Sequence, residues 1–164
     1  MEWILILEKG FWFGAAALGF ALFFNVPPRT LFTLWLMGAI GGIAKLLLLK
    51  AGASPVRATL GGSGLIGILS IPAAHFQHAP PLVFSIPSVI PMVPGVLAYR
   101  TLLGVIYLSR SPDSPDYARM LAESVSNGVN TFLILLCLAA GGSLPFLITR
   151  KESAKKLKLQ KKKS

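Results

Sequence analysis

The sequence predicts an all-α integral membrane protein of about five transmembrane helices, the fourth broken by prolines. Three observations carry this reading. Of 164 residues, 54% are hydrophobic and 13% charged, with a mean hydropathy of +0.68. Soluble domains carry roughly 25% charged residues, so the charge deficit is the stronger signal. Five apolar stretches, each near the ~20 residues that cross a bilayer, are separated by polar breaks rich in proline and glycine. Within the fourth, the run Ser85-Ile-Pro-Ser-Val-Ile-Pro-Met-Val-Pro-Gly95 sets Pro87, Pro91 and Pro94 where a soluble helix seldom tolerates one.

The first stretch, residues 3–24, stops at Asn25-Val-Pro-Pro-Arg29, where paired prolines end a helix. Glu8-Lys9 interrupts its apolar run and no basic region precedes it, so a retained span is expected rather than a secretory leader. Residues 31–49 form the second stretch and lead into Lys50-Ala-Gly-Ala-Ser-Pro55. The third, residues 58–76, is the weakest, because Gly61, Gly62, Gly64 and Gly67 lower its helix propensity. A re-entrant third segment would leave four spans.

The fourth stretch, residues 82–108, holds one charge, Arg100. Its prolines are expected to strip the carbonyls of Val83, Pro87 and Ile90 of helical partners. In hydrocarbon such a carbonyl costs several kcal/mol, so broken backbone belongs against protein or a water-lined cavity. Arg110 to Tyr117 is a polar loop, and residues 120–148 form a fifth span long enough to tilt. Residues 1–149 are thus expected to be a membrane domain and 150–164 a basic tail.

Charge sets an expected orientation. The tail holds eight basic residues and one acid, +7 of the chain's formal +10. Such a tail beside a final span marks the cytoplasmic side and touches anionic lipid. Five spans then put the N-terminus outside, and a four-span count reverses it. Nucleic-acid binding is not expected, since the tail lacks aromatic residues for stacking. Cys137 stands alone and forms no internal disulfide. Small residues paired at helix-packing spacing (Gly10 and Gly14, Ala15 and Gly19, Gly38 and Gly42, Ser63 and Gly67) let helices approach closely, within this chain or against another subunit.

Charged groups inside spans are candidate functional residues. Arg100 lies eight residues from its span's end, roughly 12 Å at 1.5 Å per residue, and either lines a substrate route or anchors helices. Lys45, four residues from its span's end, either snorkels or attracts an anion. Glu8 and Lys9 point about 100° apart, so one of them is expected to meet another helix. Glu123, Ser124, Asn127 and Thr131 form a polar stripe that either glues helices or hydrogen-bonds a solute. His75 and His78 stand one turn apart with no further ligand nearby, so neither a metal nor a cofactor is expected. The chain carries no nucleotide-binding or hydrolase motif, and no enzymatic reaction is expected of it.

Three elements in order carry a resemblance: Gly19-Phe-Ala-Leu-Phe-Phe-Asn-Val-Pro-Pro-Arg29, Gly38-Ala-Ile-Gly41 with basic Lys45 beyond it, and Ile90-Pro-Met-Val-Pro-Gly95 with Tyr99. They resemble the ThrE-type threonine/serine exporter family, in its small, YjjB-like split form, over nearly all of residues 1–150. Lys45 stands where that pattern more often has arginine, and the lysine-rich tail is not part of it. The resemblance implies a bacterial inner-membrane subunit of an exporter of threonine and serine, or of succinate. It also implies a larger YjjP-like membrane subunit as hetero-oligomeric partner. Inside such an exporter, Arg100, Lys45, Pro87, Pro91, Pro94, Gly95, Tyr99, Asn25 and Arg29 are the expected substrate-pathway residues. Surplus cationic charge within the spans suits a dianion such as succinate. The competing class is an accessory membrane protein that organises a partner or lipids without transporting.

Overall fold

The computed structural model describes the backbone of residues 2–111 and 115–161 and the side chains of residues 3–111 and 115–144. Six helices follow one another: α1 Glu2–Phe23, α2 Leu31–Lys50, α3 Pro55–Gln77, α4 Pro81–Val89, α5 Gly95–Arg110 and α6 Tyr117–Lys161. No strand occurs among the described residues. By length and composition α1, α2, α3 and the Tyr117–Leu144 part of α6 can each cross a bilayer, and α4 with α5 make a fifth span if the bent pair is one. The backbone of α6 continues as helix to Lys161. The tail's side chains, and the centre of the 110–117 loop with Asp113, lie outside the described residues.

Local chemistry explains where the first three helices stop. Asn25, Gly52 and His78 adopt left-handed backbone, with φ of 55°, 85° and 48°. After α1, the Asn25 N–H donates to Leu22 O and the Val26 N–H to Ala21 O, both at 3.0 Å. After α2, Gly52 and Ala53 repeat the pair onto Leu49 and Leu48. These are the paired bonds of a Schellman stop, which occupies carbonyls that a helix end would otherwise orphan. Prolines restart the chain, with Pro28, Pro55 and Pro81 in first helical turns. Asn25 and His78 therefore each carry a helix stop.

A first prediction follows from this geometry. Asn25→Ala will lower stability by about 1 kcal/mol, because a Cβ-bearing residue without a local hydrogen-bonding side chain is disfavoured in left-handed backbone. Asn25→Gly will leave stability within a few tenths. Thermal unfolding of the detergent-solubilised protein checks both.

Packing runs α1 on α2, α2 on α3, α3 on α6 and α6 on α5, with α4 among α1, α2, α3 and α6. Three of the four small-residue pairs are consumed inside the chain. Gly10 lies under Ile43 and Gly14 under Trp35, while Gly38 and Gly42 receive Ala17 and Phe13. A Cβ on Gly67 would run into the Gly141 carbonyl, and Gly141 itself abuts Ser63, so α3 and α6 cross at backbone distance. Around Gly19 a Cβ would meet nothing within 4 Å.

The core gathers on α4. Phe84, Leu34, Ile66, Met92 and Ile134 are fully buried, together with Pro87, Ser85 and Ser88. The Ser85 hydroxyl donates to Gly142 O at 3.2 Å and the Ser88 hydroxyl to Leu34 O at 3.4 Å, tying α4 to α6 and α2. Such interhelical bonds average only about 0.6 kcal/mol each, so apolar packing holds α4 in place.

The proline run breaks the fourth segment as expected. Ile90–Met92 tighten into a 3₁₀ turn, and the axis bends by 53° before α5 begins. One expectation is corrected. The Ile90 carbonyl is not free, because the tightened turn brings the Val93 N–H onto it at 3.0 Å. The Met92 carbonyl instead takes its hydrogen bond from a side chain, the Lys45 ammonium of α2.

Candidate functional site

Beyond the break, α5 packs chiefly on α6. The two helices run antiparallel and meet where Gly104 receives Ser124 and Gly128 receives Thr101. Alongside this contact opens a cleft of about 480 Å3. Its α5 wall is Arg100, Leu103, Gly104 and Tyr107, and its α6 wall is Met120, Glu123, Ser124 and Asn127. Both walls follow the i, i+3, i+4, i+7 spacing that puts residues on one helical face.

The polar groups are graded along the cleft. Asn127 lies ten residues into α6, and Arg100 lies ten residues before the end of α5, each about 15 Å along its helix. That is half the thickness of a ~30 Å hydrocarbon core. Towards the 110–117 loop, Glu123 accepts a hydrogen bond from Arg119 at 3.1 Å, and both side chains are largely exposed. The Ser124 and Thr131 hydroxyls donate to Met120 O and Asn127 O on their own helix, at 2.7 and 2.8 Å. No side chain among the described residues is bonded to the Arg100 guanidinium or the Asn127 amide. A guanidinium and a carboxamide thus remain open at the deep end, with a carboxylate nearer the mouth.

Lys45 takes a different place. Its ammonium donates to Met92 O at 2.9 Å, across 47 residues of sequence. In an unbroken helix that carbonyl would accept from residue 96, but Pro94 ends the ladder and α5 starts its own bonding with the Ala98 N–H on Pro94 O. Gly41 and Gly62 admit the arrangement, since Cβ atoms there would meet the Met92 methyl or the Lys45 stem. The lysine reaches inward to close the break, rather than snorkelling. Lys9 flanks the same turn from α1, beside Pro91.

The expected pathway residues therefore separate. Arg100 joins Glu123, Ser124 and Asn127 in the α5–α6 cleft. Lys45 joins the break formed by Pro91 and Pro94, while Pro87 is buried within α4. Gly95 and Tyr99 are exposed at the start of α5 and lie outside the cleft lining, and Asn25 and Arg29 are exposed in the α1–α2 connection. Thr131 lies one turn beyond Asn127 and does not line the cleft. Tyr107 and Met120 also line the cleft, beyond the residues the sequence singles out. The seven-residue spacing from Arg100 to Tyr107 was the available signal for the first.

Residues 10–148 match the family model described as threonine/serine exporter, ThrE. An "uncharacterized protein" of Haemophilus influenzae (strain ATCC 51907 / DSM 11121 / KW20 / Rd) is 33% identical over 132 residues, covering 80% of this chain and 43% of that protein. This chain thus spans less than half the length of that curated relative. No solved structure matches.

Proposed function

The chain belongs to the threonine/serine exporter (ThrE) family, and on that premise we propose that it is one membrane component of a two-component secondary exporter of small amino acids. The observation that carries this reading is the α5–α6 cleft, with Arg100 and Asn127 at mid-helix depth and Glu123 towards its mouth. A guanidinium offers paired donors to a carboxylate. Glu123 offers an acceptor to an ammonium, and its exposed pair with Arg119 is worth under about 1 kcal/mol, so a ligand amine displaces it readily. Opposite signs within one cleft suit a zwitterion.

A second substrate reading has its own observation. While Arg119 holds Glu123, Arg100 leaves the cleft with a surplus positive charge, which suits a dicarboxylate such as succinate. The second component is a larger membrane subunit, in keeping with the extra length of the Haemophilus relative. The protein resides in a bacterial inner membrane as a multi-pass subunit, with its basic C-terminus on the cytoplasmic side.

Efflux of labelled threonine, serine and succinate from cells with and without the gene tests the function. Loss of the gene is expected to slow threonine and serine efflux. Glu123→Gln is expected to lower those two at least fivefold while sparing succinate, and the opposite selectivity would assign the dicarboxylate. Unchanged efflux of all three on deletion would sink the exporter reading.

A further inference from the structure

α1 turns an open face away from the bundle. Lys9, Trp12 and Ala16 line a hollow of about 290 Å3 that also touches Pro91 of the helix break. Ala16, Gly19 and Phe23 line a second hollow, of about 360 Å3, further along the same helix. Residues 9, 12, 16, 19 and 23 keep the 3-4 spacing of a single helical face. Gly19 is the one glycine of the small-residue pairs whose Cβ position is open, so its close-approach surface is unused within this chain.

Lys9 supplies the sign of what belongs there. It is exposed, and no acid among the described residues pairs with it. It stands level with the Gly10–Ile43 contact, seven residues or about 10 Å into α1, where an ammonium facing hydrocarbon is unfavourable unless paired. Glu8 points about 100° away around the helix and cannot serve the same groove.

We propose that this face seats a membrane helix of a second, different polypeptide, with a carboxylate opposite Lys9 and a close crossing at Ala16 and Gly19. A second copy of this chain does not fit. Copies inserted alike in the membrane meet about a twofold axis along its normal, so parallel α1 faces would bring the two Lys9 ammoniums together. A distinct helix with an acid satisfies the charge. More than half of the Haemophilus relative lies outside the matched region, enough chain to supply one. The proposal rests on the two-component reading and names the surface through which the components meet.

The test places a photo-crosslinking amino acid at Gly19 of the full chain in its native membrane. One adduct is expected, with a single different membrane polypeptide identified by mass spectrometry. Lys9→Glu will reduce that adduct at least fivefold and Lys9→Arg will keep it. In the Lys9→Glu background, replacing the facing acid of the captured polypeptide by lysine will restore it. An adduct of two copies of this chain overturns the proposal, as does one indifferent to Lys9→Glu, or labelling of lipid alone with the protein at its normal membrane level. Efflux measured in parallel separates the two claims. An intact adduct with efflux unmoved by gene loss refutes the exporter reading alone, whereas gene-dependent efflux without the adduct refutes the interface alone.

Discussion

Arg100→Ala will lower efflux of the transported substrate at least tenfold at unchanged membrane abundance. The guanidinium stands at the deep end of the α5–α6 cleft with no side-chain hydrogen bond or ion pair among the described residues, so its removal breaks no such bond. On the proposed function the substitution removes a charge-assisted bond to the substrate's carboxylate, worth roughly 1.5–3 kcal/mol, or about one to two decades in affinity. Arg100→Lys will retain part of the activity, since an ammonium keeps the charge and loses the paired donors. Initial efflux rates from preloaded cells, normalised to immunoblotted protein, read the effect. A stability loss in Arg100→Ala matching the activity loss would assign the residue to anchoring instead.

Lys45→Met will destabilise the protein by about 1–3 kcal/mol, the cost of leaving a buried acceptor unmade. The shape of the side chain is nearly kept, so the loss isolates the ammonium that closes onto Met92 O. Lys45→Arg will recover most of it, because a guanidinium also donates to a carbonyl. Thermal unfolding followed by tryptophan fluorescence checks the order of the three proteins. Efflux is expected to fall with Lys45→Met as well, since the 53° bend that aims α5 at α6 is fixed at this turn.

Much of the fold was legible because bilayer thickness and proline chemistry leave few choices. Apolar runs of spanning length became helices, and Asn25-Val-Pro-Pro and Lys50-Ala-Gly-Ala-Ser-Pro became stops followed by restarts. The bend at Pro91 and Pro94 followed from missing N–H groups alone. Partner choice across helices was not legible. Lys45 read as either a snorkelling or an anion-attracting residue because sequence distance from a span's end is one-dimensional, whereas its acceptor lies 47 residues away.

The candidate site was half legible for the same reason. Arg100 and the stripe Glu123, Ser124, Asn127 were each visible as polar groups in apolar helices, yet their convergence depends on the bend. Arg100 and Lys45, read together as one carboxylate-attracting pair, are parted by that bend into two places. Tyr107 belonged to the Arg100 face by spacing, but a tyrosine near a span's end also suits an interfacial belt.

The most direct test asks whether substrate occupies the cleft. Asn127→Cys in a Cys137→Ser background gives one thiol at the cleft's deep end, and its rate of labelling by a small maleimide is measured in membranes that retain efflux. The site assignment predicts that threonine or serine slows labelling at least fivefold with saturable concentration dependence, while a cysteine at exposed Tyr99 is unaffected. Labelling at position 127 that is indifferent to threonine, serine and succinate alike, in membranes still active for efflux, would contradict it.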